Sequence, residues 1–499
     1  MKRLRKQLFP AIPYIYRQYR TKSVWRLCTP STCKFPVIFH KNAREYIKYS
    51  LRFFFHLTKN LTTHLSHNLC AVLPKKCSEN ERSVGERMKF NTALLHQNFD
   101  GEKSTGSTIM PIYQVSAFAH ETAEKLEKVF HNQAPGFAYT RISNPTVDAF
   151  EKRVAAMENG IGAVSCSSGM TAVTMALLNI LHAGDEVIAG SGLFGGTIDL
   201  FSDLKAFGIT TRFAESITVE EIEPLINENT KVVFTELIGN PKLDVVDLKA
   251  VSELVHAHGI PLIIDSTTAT PYLIHPFAYG ADVVVHSSSK YINGGGNAIS
   301  GVIVDSGNFH WDSSRYDGFE PYAKYGKFAY LAKLRNAIWR NVGGCLSPMN
   351  AFLNSVGLET LGLRMERLCD NALQLAQYLD SVDGVEVNYP ALEKSPYYSL
   401  VQKQFGGKGG AILTLRAGSK EKAFCLINHL QFATNATNIG DVRTLVIHPA
   451  STIYAHSNEA QKQSAGVYED LIRISVGIED IEDLIEDFGQ AIAKMQEEC

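Results

Sequence analysis

The sequence predicts an α/β fold in which helices cover a mostly parallel sheet, followed by a smaller α+β domain. Three observations lead to this prediction. The chain has 499 residues, which is too long for one simple core. From about residue 146, short apolar runs alternate with helical patterns, as expected for a parallel sheet between helices. Near residue 346, this alternation gives way to a long helical stretch.

The predicted strands of the large domain are apolar runs that end in small or polar side chains. In chain order they are GAVSCSS, DEVIAGS, ITTRFAE, KVVFTEL, PLIIDST, DVVVHSS and SGVIVDS. Predicted helices lie between several of them, including MTAVTMALLNILHAG and DLKAVSELVHAHG, which carry apolar residues at three-and-four spacing and end near glycine. In such sheets ligands bind beyond the carboxyl ends of the strands, so the residues after each run are site candidates.

A different pattern predicts the small domain. LSPMNAFLNSVGLETLGLRMERLCDNALQLAQYLDSV indicates helix, GAILTLRAG and KEKAFCLINHLQ indicate a strand and a helix, and IEDLIEDFGQAIAKMQ indicates a final helix. We therefore expect a large domain at 146–345, a small domain at 346–499 and a preceding segment at 88–145.

Residues 1–87 differ from the rest of the chain in charge. They hold 18 Lys and Arg against 4 Asp and Glu, a net charge of +14, whereas the remainder carries −16. A transit sequence or a basic arm for anionic surfaces would be a functional interpretation. However, no helical or strand periodicity is sustained there, and a globular pattern starts at Met88. We expect this segment not to be part of the working protein.

Membrane and nucleic-acid partners are not expected. No apolar run reaches the length of a membrane-spanning helix, and the basic segment carries no recognisable nucleic-acid-binding module. The nine cysteines are scattered without CxxC spacing, which favours reduced thiols in a cytoplasmic protein over a disulfide framework or a metal site.

Three strand ends carry side chains that suit one kind of chemistry. The stretch 167–170 opens a helix, whose free N–H groups suit an anion such as phosphate, although Ser-Gly often simply starts a helix. Asp265 follows PLII and could pair with a cationic ring nitrogen, although a single carboxylate at this place usually caps a turn. Lys290 follows VVVHSSS, where Ser287 and Ser289 could bind phosphate oxygens.

Lys290 is the residue that suggests a cofactor. Lysine amines become nucleophilic when burial or neighbouring charge lowers their pKa, and they then form Schiff bases with aldehydes. The glycines that follow, in KYINGGG, would give room beside the lysine. A phosphate site, a carboxylate for a ring nitrogen and a Schiff-base lysine together describe a binding site for pyridoxal 5′-phosphate.

Seven motifs in order strengthen this prediction. They are YTRISNPT, CSSGMTA, GLFGGT, IIDSTTATPY, HSSSKYINGGG, HPAST and LIRISVGIED. Together they resemble the signature of the pyridoxal-phosphate family of cysteine and methionine metabolism, from about Met88 to the C-terminus. The resemblance implies the aspartate-aminotransferase fold (fold type I). That family includes cystathionine synthases and lyases, methionine γ-lyases and O-acetylhomoserine sulfhydrylases.

The resemblance also implies a role for each matching residue. Lys290 would form the Schiff base and then shuttle protons, Asp265 would pair with the pyridine nitrogen, and Arg473 would clamp the substrate carboxylate. Asn438 would contact the substrate beside Arg473. The residues implied in binding the phosphate or the ring of the cofactor are Gly169, Met170, Ser287, Ser289 and Phe194.

Two further residues are implied to act in a neighbouring subunit. Tyr139 and Arg141 of the YTR motif would reach the phosphate or the substrate of a second chain, with Tyr139 taking part in catalysis. Segment 88–145 would thus be an arm that completes the neighbouring active site. A dimer is then the smallest active unit, and the resemblance implies a homotetramer.

Departures from the family pattern favour one reaction. Phe194 stands where γ-lyases typically have Tyr, and Phe has no proton to donate to a thiolate leaving group, whereas acetate leaves without one. Gly196 occupies the place of a cysteine of methionine γ-lyases, and LRNAIWRNVGGCLSPMNAFLNSVGLETL resembles sulfhydrylases. We expect γ-replacement on O-acetylhomoserine, with sulfide giving homocysteine or methanethiol giving methionine.

Several alternatives stay open at the level of sequence. A cystathionine γ-synthase differs only in using cysteine as acceptor, and a methionine or cystathionine γ-lyase shares every cofactor residue. A protein that kept the fold and lost turnover is a third alternative, which the retained Lys290, Asp265, Arg473 and Tyr139 argue against. The acyl group of the donor and the preferred thiol are not fixed by these motifs.

Overall fold

The computed structural model describes residues 88–97 and 105–499 of the chain. The predictions about the basic segment, residues 1–87, lie outside these residues. Within the described ranges, no helix combines the length and the apolar composition that a membrane crossing requires.

A seven-stranded sheet forms the centre of the larger part of the chain. Its strands are β1 Gly162–Cys166, β2 Glu186–Gly190, β3 Thr210–Ala214, β4 Thr230–Glu236, β5 Leu262–Asp265, β6 Val283–His286 and β7 Gly301–Asp305. Their order across the sheet is β1-β7-β6-β5-β4-β2-β3. The strands β3, β2, β4, β5 and β6 run parallel, and β7 is antiparallel to both of its neighbours. The predicted strands and the mostly parallel sheet are confirmed.

Both faces of this sheet are buried, which explains why its strands are continuous apolar runs. Successive side chains of a strand point to opposite faces, and Ile263 and Ile264 accordingly belong to two different apolar clusters. The edge strand β3 is the exception, since most of its residues are exposed. The sheet is therefore a mostly apolar platform, with Glu236 and Asp265 at the carboxyl ends of β4 and β5.

The helices pack around this sheet and extend beyond it. Those up to residue 257 are Phe90–His96, Ala123–Phe130, Pro145–Glu158, Gly169–Leu178, Gly195–Leu204, Val219–Ile222 and Leu248–Ala257. Those that follow are Thr270–Leu273, Ala329–Asn336, Ile338–Val342, Pro348–Glu359, Leu361–Asp380, Tyr398–Phe405, Lys420–His429, Glu459–Ser464 and Ile481–Glu498. The apolar spacing of 247–259 therefore predicted its helix correctly, as did that of 170–184.

A second sheet of five strands lies in the C-terminal part of the chain. Its strands are β8 Glu386–Asn388, β9 Ile412–Arg416, β10 Thr434–Asn435, β11 Leu445–Ile447 and β12 Leu471–Ser475, in the order β10-β11-β12-β9-β8. The sequence predicted the strand β9 and the helices around it. The strands β8, β10 and β11 have two or three residues each, too few to show a period. The boundary near residue 346 stays a prediction.

The cysteines depart from the prediction at one place. Cys425 and Cys499 form a disulfide across 74 residues of sequence, so the prediction of reduced thiols is wrong for this pair. The fold explains the error, because helix Ile481–Glu498 packs on helix Lys420–His429 and brings the last residue beside Cys425. Two cysteines so far apart in sequence form no recognisable spacing motif, so the sequence alone does not indicate that they pair. Cys166, Cys345 and Cys369 are free thiols.

Candidate active site

The site lies at the carboxyl ends of three neighbouring strands. In the register of the sheet, Glu236 at the end of β4 stands beside Asp265 at the end of β5, and Asp265 stands beside Val285 of β6. Lys290 lies four residues beyond His286, the last residue of β6. Parallel strands therefore bring Asp265 and the lysine loop to the same edge, as the sequence predicted.

Lys290 is half-buried and has one side-chain partner. Its Nζ donates to Oδ1 of Asn438 over 2.6 Å. Burial, and secondarily the charge of Arg473, lower the pKa of Lys290 to about 8. A lysine with such a pKa is partly neutral near physiological pH, which is the form that attacks an aldehyde.

Arg473 on β12 is held beside Lys290 from a different part of the chain. It is only 3% exposed. One terminal nitrogen donates to the backbone carbonyl of Asn438 over 2.9 Å, and the other reaches Oδ1 of Asn240 at 3.4 Å. Its buried Nε has no partner among the described residues. Burial lowers the pKa of Arg473 to about 10, so the group stays charged and keeps donor capacity for an anion such as a carboxylate.

Asp265 is held by the turn that follows its own strand. The backbone N–H of Thr267 donates to Oδ1 of Asp265 over 2.9 Å. Burial raises the pKa of Asp265, while the hydrogen bonds from Thr267 and the charge of His286 oppose that rise. The ring of His286 is fixed by the buried Glu158, 2.5 Å from its Nε2. A carboxylate in this setting suits a cationic partner.

Glu236 is a site residue that sequence reasoning missed. It is 7% exposed, and its Oε1 accepts the backbone N–H of Phe194 over 2.6 Å. The signal that could have identified it is the one that selected Asp265, since both are carboxylates at the end of an apolar strand. Thr267 was missed too; besides holding Asp265, its hydroxyl accepts the N–H of Ser287 over 2.8 Å.

A small cradle that could hold an anion forms where helix Gly169–Leu178 begins. A Cβ at Gly169 would lie 2.5 Å from Cβ and 2.7 Å from Oγ of Ser287, so only glycine lets the helix approach this serine. Ser168 caps the helix by accepting the N–H of Thr171. The free N–H groups of the first turn and Ser287 thus converge. Ser289 is committed elsewhere, because its hydroxyl donates to the carbonyl of Ser300 over 3.0 Å.

Phe194 and Met170 lie on the turns next to this cradle. Phe194 is half-buried and directly precedes helix Gly195–Leu204. A Cβ at Gly196 would come within 2.7 Å of the Phe194 ring, so the ring packs where a side chain at 196 would lie. The sulfur of Met170 accepts the hydroxyl of Thr197 at 3.9 Å. The helix starts that carry Met170 and Phe194 are thereby joined.

The sequence suggested that the glycines after Lys290 make room for a ligand. In the structure they make room for protein side chains instead. A Cβ at Gly294 would lie 2.3 Å from the guanidinium of Arg364, and one at Gly296 would lie 2.5 Å from the carboxylate of Asp441. Arg364 donates to the carbonyls of Tyr291 and Gly357 over 2.5 and 2.7 Å. Arg364 thus ties the loop after Lys290 to helix Pro348–Glu359, which holds Lys290 in place.

Tyr139 and Arg141 lie together on the surface. Tyr139 is 43% exposed, and the guanidinium of Arg141 lies 5.4 Å from the centre of its ring. Arg141 donates to the carbonyl of Arg340 rather than to the lysine site. Their action in a neighbouring subunit stays a prediction.

The residues present fit a small molecule with an aldehyde, a ring nitrogen and a phosphate. Lys290 offers a nucleophilic amine, Asp265 a buried carboxylate and the Gly169 turn an anion cradle. Arg473 adds an unpaired buried donor. The arrangement can therefore hold such a molecule and bind an acidic substrate beside it.

Comparisons with known proteins agree with this chemistry. The family described as Cys/Met metabolism PLP-dependent enzyme matches residues 91–493. Homocysteine synthase of Schizosaccharomyces pombe is 41% identical over 423 residues, covering 82% of this chain and 99% of the relative. O-acetyl-L-homoserine sulfhydrylase of Leptospira meyeri is 38% identical over 432 residues, covering 82% of this chain and 98% of the relative.

A solved structure extends the agreement to the fold. An O-acetylhomoserine (thiol)-lyase of Campylobacter jejuni, which carries N'-pyridoxyl-lysine-5'-monophosphate, aligns with a TM-score of 0.78 at 34% identity. The alignment covers 81% of this chain and all of the other. This chain therefore belongs to the Cys/Met metabolism PLP-dependent enzyme family, and pyridoxal 5′-phosphate is its cofactor.

Proposed function

We propose that this enzyme transfers the aminocarboxypropyl group of O-acetylhomoserine to sulfide, which gives homocysteine and acetate. The structural observation that carries the choice of donor is Phe194, whose ring packs over Gly196 and has no proton to give. A leaving group that needs no general acid, such as acetate, suits this environment. The names of relatives that match over nearly their whole length support the same reaction.

Lys290 and Asp265 are proposed to carry the chemistry. Bound pyridoxal phosphate supplies an electron sink for negative charge that develops next to the substrate amine. Asp265 would hold the ring nitrogen in its protonated form, since a buried carboxylate favours a cationic partner. Lys290 would bind the aldehyde, and its freed Nζ would then take the proton from Cα. A pKa of about 8 suits both tasks.

Binding and orientation are assigned to the residues around them. Arg473 would bind the substrate carboxylate through its Nε, which has no partner among the described residues, and through the remaining hydrogens of its terminal nitrogens. Asn438, which contacts both Lys290 and Arg473, would set the distance between the amine and that carboxylate. The remaining proposed cofactor contacts are Gly169, Met170, Ser287, Ser289 and Phe194. Of these, Ser289 already donates its hydroxyl to the carbonyl of Ser300, so it would have to divide this hydrogen bond between Ser300 and the phosphate.

The proposal extends to assembly and location. Tyr139 and Arg141 are exposed on the single chain, which is what a pair that completes a neighbouring active site requires. We therefore propose a homotetramer built from dimers that share active sites, acting in the cytoplasm without membrane or nucleic-acid partners. Tyr139 would take part in catalysis in the adjoining subunit.

One experiment separates the candidate reactions. The full chain, loaded with pyridoxal phosphate, is given O-acetylhomoserine with sulfide, with methanethiol, with cysteine or with no thiol. Sulfide-dependent homocysteine with little 2-oxobutanoate in the control is the expected result, and methionine from methanethiol would show a broader acceptor range. Cystathionine as the main product would identify a cystathionine γ-synthase. Release of 2-oxobutanoate, together with methanethiol from methionine, would identify a γ-lyase and contradict the proposal.

A further inference from the structure

Glu236 is a buried acid that none of the steps above uses. It ends β4 directly beside Asp265 in the register of the sheet, and it is 7% exposed. Two carboxylates at neighbouring strand ends repel each other when both are charged, and burial adds the loss of hydration. Such a pair is stable when one member is neutral, or when cationic partners or N–H donors compensate both charges.

The contacts of Glu236 connect two parts of the site. Its Oε1 accepts the N–H of Phe194 over 2.6 Å, and the backbone N–H of Asn240 is a second partner. The side-chain oxygen Oδ1 of Asn240 in turn accepts a hydrogen bond from a terminal nitrogen of Arg473 at 3.4 Å. One side chain thereby holds the turn that carries Phe194 and the turn that contacts Arg473.

The charges that face Glu236 are mainly negative. Asp265 lies on the next strand and Asp244 lies in the loop after β4, whereas the phenol of Tyr454, whose pKa is raised by burial, is neutral. Burial, followed by the charge of Asp265, raises the pKa of Glu236 well above its ordinary value. The charge of His286 acts in the opposite direction on Asp265. The backbone N–H groups of Phe194 and Asn240 oppose the rise on Glu236 without cancelling it, and the surroundings of the pair therefore favour the proton on Glu236 over Asp265.

We propose that Glu236 is a positioning residue that works as a neutral carboxylic acid. It fixes the Phe194 and Asn240 turns through hydrogen bonds and leaves Asp265 as the negative charge of the pair. The second part rests on the role proposed above for Asp265. Because Glu236 does not touch the reacting atoms in this account, its shape and hydrogen bonds matter and its charge does not.

Three variants of the full-length holoenzyme test the proposal. Glutamine offers an oxygen acceptor and an N–H donor, as a neutral acid does, so E236Q should keep kcat/KM within about threefold of the wild type. E236D is one methylene too short to reach Phe194, and E236A has no acceptor. Each should lose about tenfold or more, as expected for a lost buried hydrogen bond. A tenfold loss in E236Q that E236D, which keeps the ionisable carboxyl group, does not share would overturn the proposal, since it would mean that the ionised group is required.

The stability of the cofactor-free protein gives a second readout that is independent of the reaction. If the pKa of Glu236 is higher in the folded than in the unfolded chain, folding loses stability as the pH rises above the unfolded value, because the unfolded chain releases the proton while the folded chain keeps it. The melting temperature of E236Q should therefore rise relative to that of the wild type between pH 5 and 8. A difference that stays flat or falls would show an ionised Glu236 and overturn the proposal, even if the reaction is the one proposed.

Discussion

The half-buried Lys290 and the buried Lys333 have the same lowered pKa of about 8 and opposite surroundings. The Nζ of Lys333 donates to the backbone carbonyls of Asn179 and Asp317 over 2.6 and 2.9 Å and lies 4.3 Å from the ring of Phe319. Lys290 donates to a single amide oxygen. A lowered pKa thus indicates burial in both lysines. What distinguishes Lys290 as a lysine that can react is that its Nζ has fewer hydrogen-bond partners than that of Lys333.

The two lysines also differ in the charges around them. Arg473 lowers the pKa of Lys290 further, whereas Asp317 and Asp185 oppose the effect of burial on Lys333. A positive neighbour favours the neutral, nucleophilic amine, and negative neighbours favour the ammonium ion that binds carbonyls. These surroundings support the chemical role proposed for Lys290 and a structural role for Lys333.

The largest expected effect is that of K290A. Without the amine that binds the aldehyde and moves the α-proton, kcat for homocysteine formation should fall by at least about 10³-fold. Steady-state kinetics on the cofactor-loaded protein measure this. K333M, prepared in the same way, is the matched control. If K290A kept more than a tenth of the activity, the assignment of Lys290 would be wrong.

R473K comes next, because it keeps the charge and removes the forked donor. An ammonium group cannot pair with a carboxylate through two parallel hydrogen bonds, so KM for O-acetylhomoserine should rise about 10- to 100-fold. R416K is a suitable control, since Arg416 lies on the adjacent strand β9 and is paired with Asp470. Equal KM values for the two variants would contradict the carboxylate clamp.

Chemical labelling sharpens the comparison between the lysines. In cofactor-free protein, a lysine with a pKa near 8 is about one-tenth neutral at pH 7, so acylation of Lys290 should accelerate about tenfold between pH 7 and 9. Lys333 should stay unmodified in the folded protein, because its Nζ is enclosed by carbonyls and a ring. Peptide mass spectrometry reads both sites at once. Fast labelling of Lys333 would remove the proposed distinction.

K333M should have the smallest effect on the reaction and a clear effect on stability. Two buried carbonyls lose their donor, which should lower the free energy of unfolding by about 1–3 kcal/mol. Activity per folded molecule should remain within about threefold of the wild type. Denaturant unfolding and kinetics on the same preparation give both values. A large loss of kcat with unchanged stability would show that Lys333 serves the site.

Much of the fold could be predicted because buried parallel strands appear as apolar runs. Asp265 and Lys290 followed from their place at strand ends, where ligands bind. Arg473 could not be found in this way, because its strand belongs to the second sheet and only the fold brings it to Lys290. Its role came from the family resemblance alone.

The parts that could not be predicted depend on contacts between distant segments. The packing of Arg364 against Gly294 joins residues 70 positions apart, and the bond between Cys425 and Cys499 spans 74. Glu236 satisfied the strand-end criterion and was still missed. Its importance lies in the N–H groups that it accepts, which no local pattern displays.

The packing of Phe194 over Gly196 has a consequence for how this enzyme can evolve or be redesigned. A side chain added at 196 would meet the ring at 2.7 Å, so its effect depends on which residue stands at 194. The two positions are expected to be epistatic, so a library that changes one codon at a time would miss combinations in which the side chain at 194 adapts to a new one at 196. Donor specificity in this scaffold is best searched with both positions varied together.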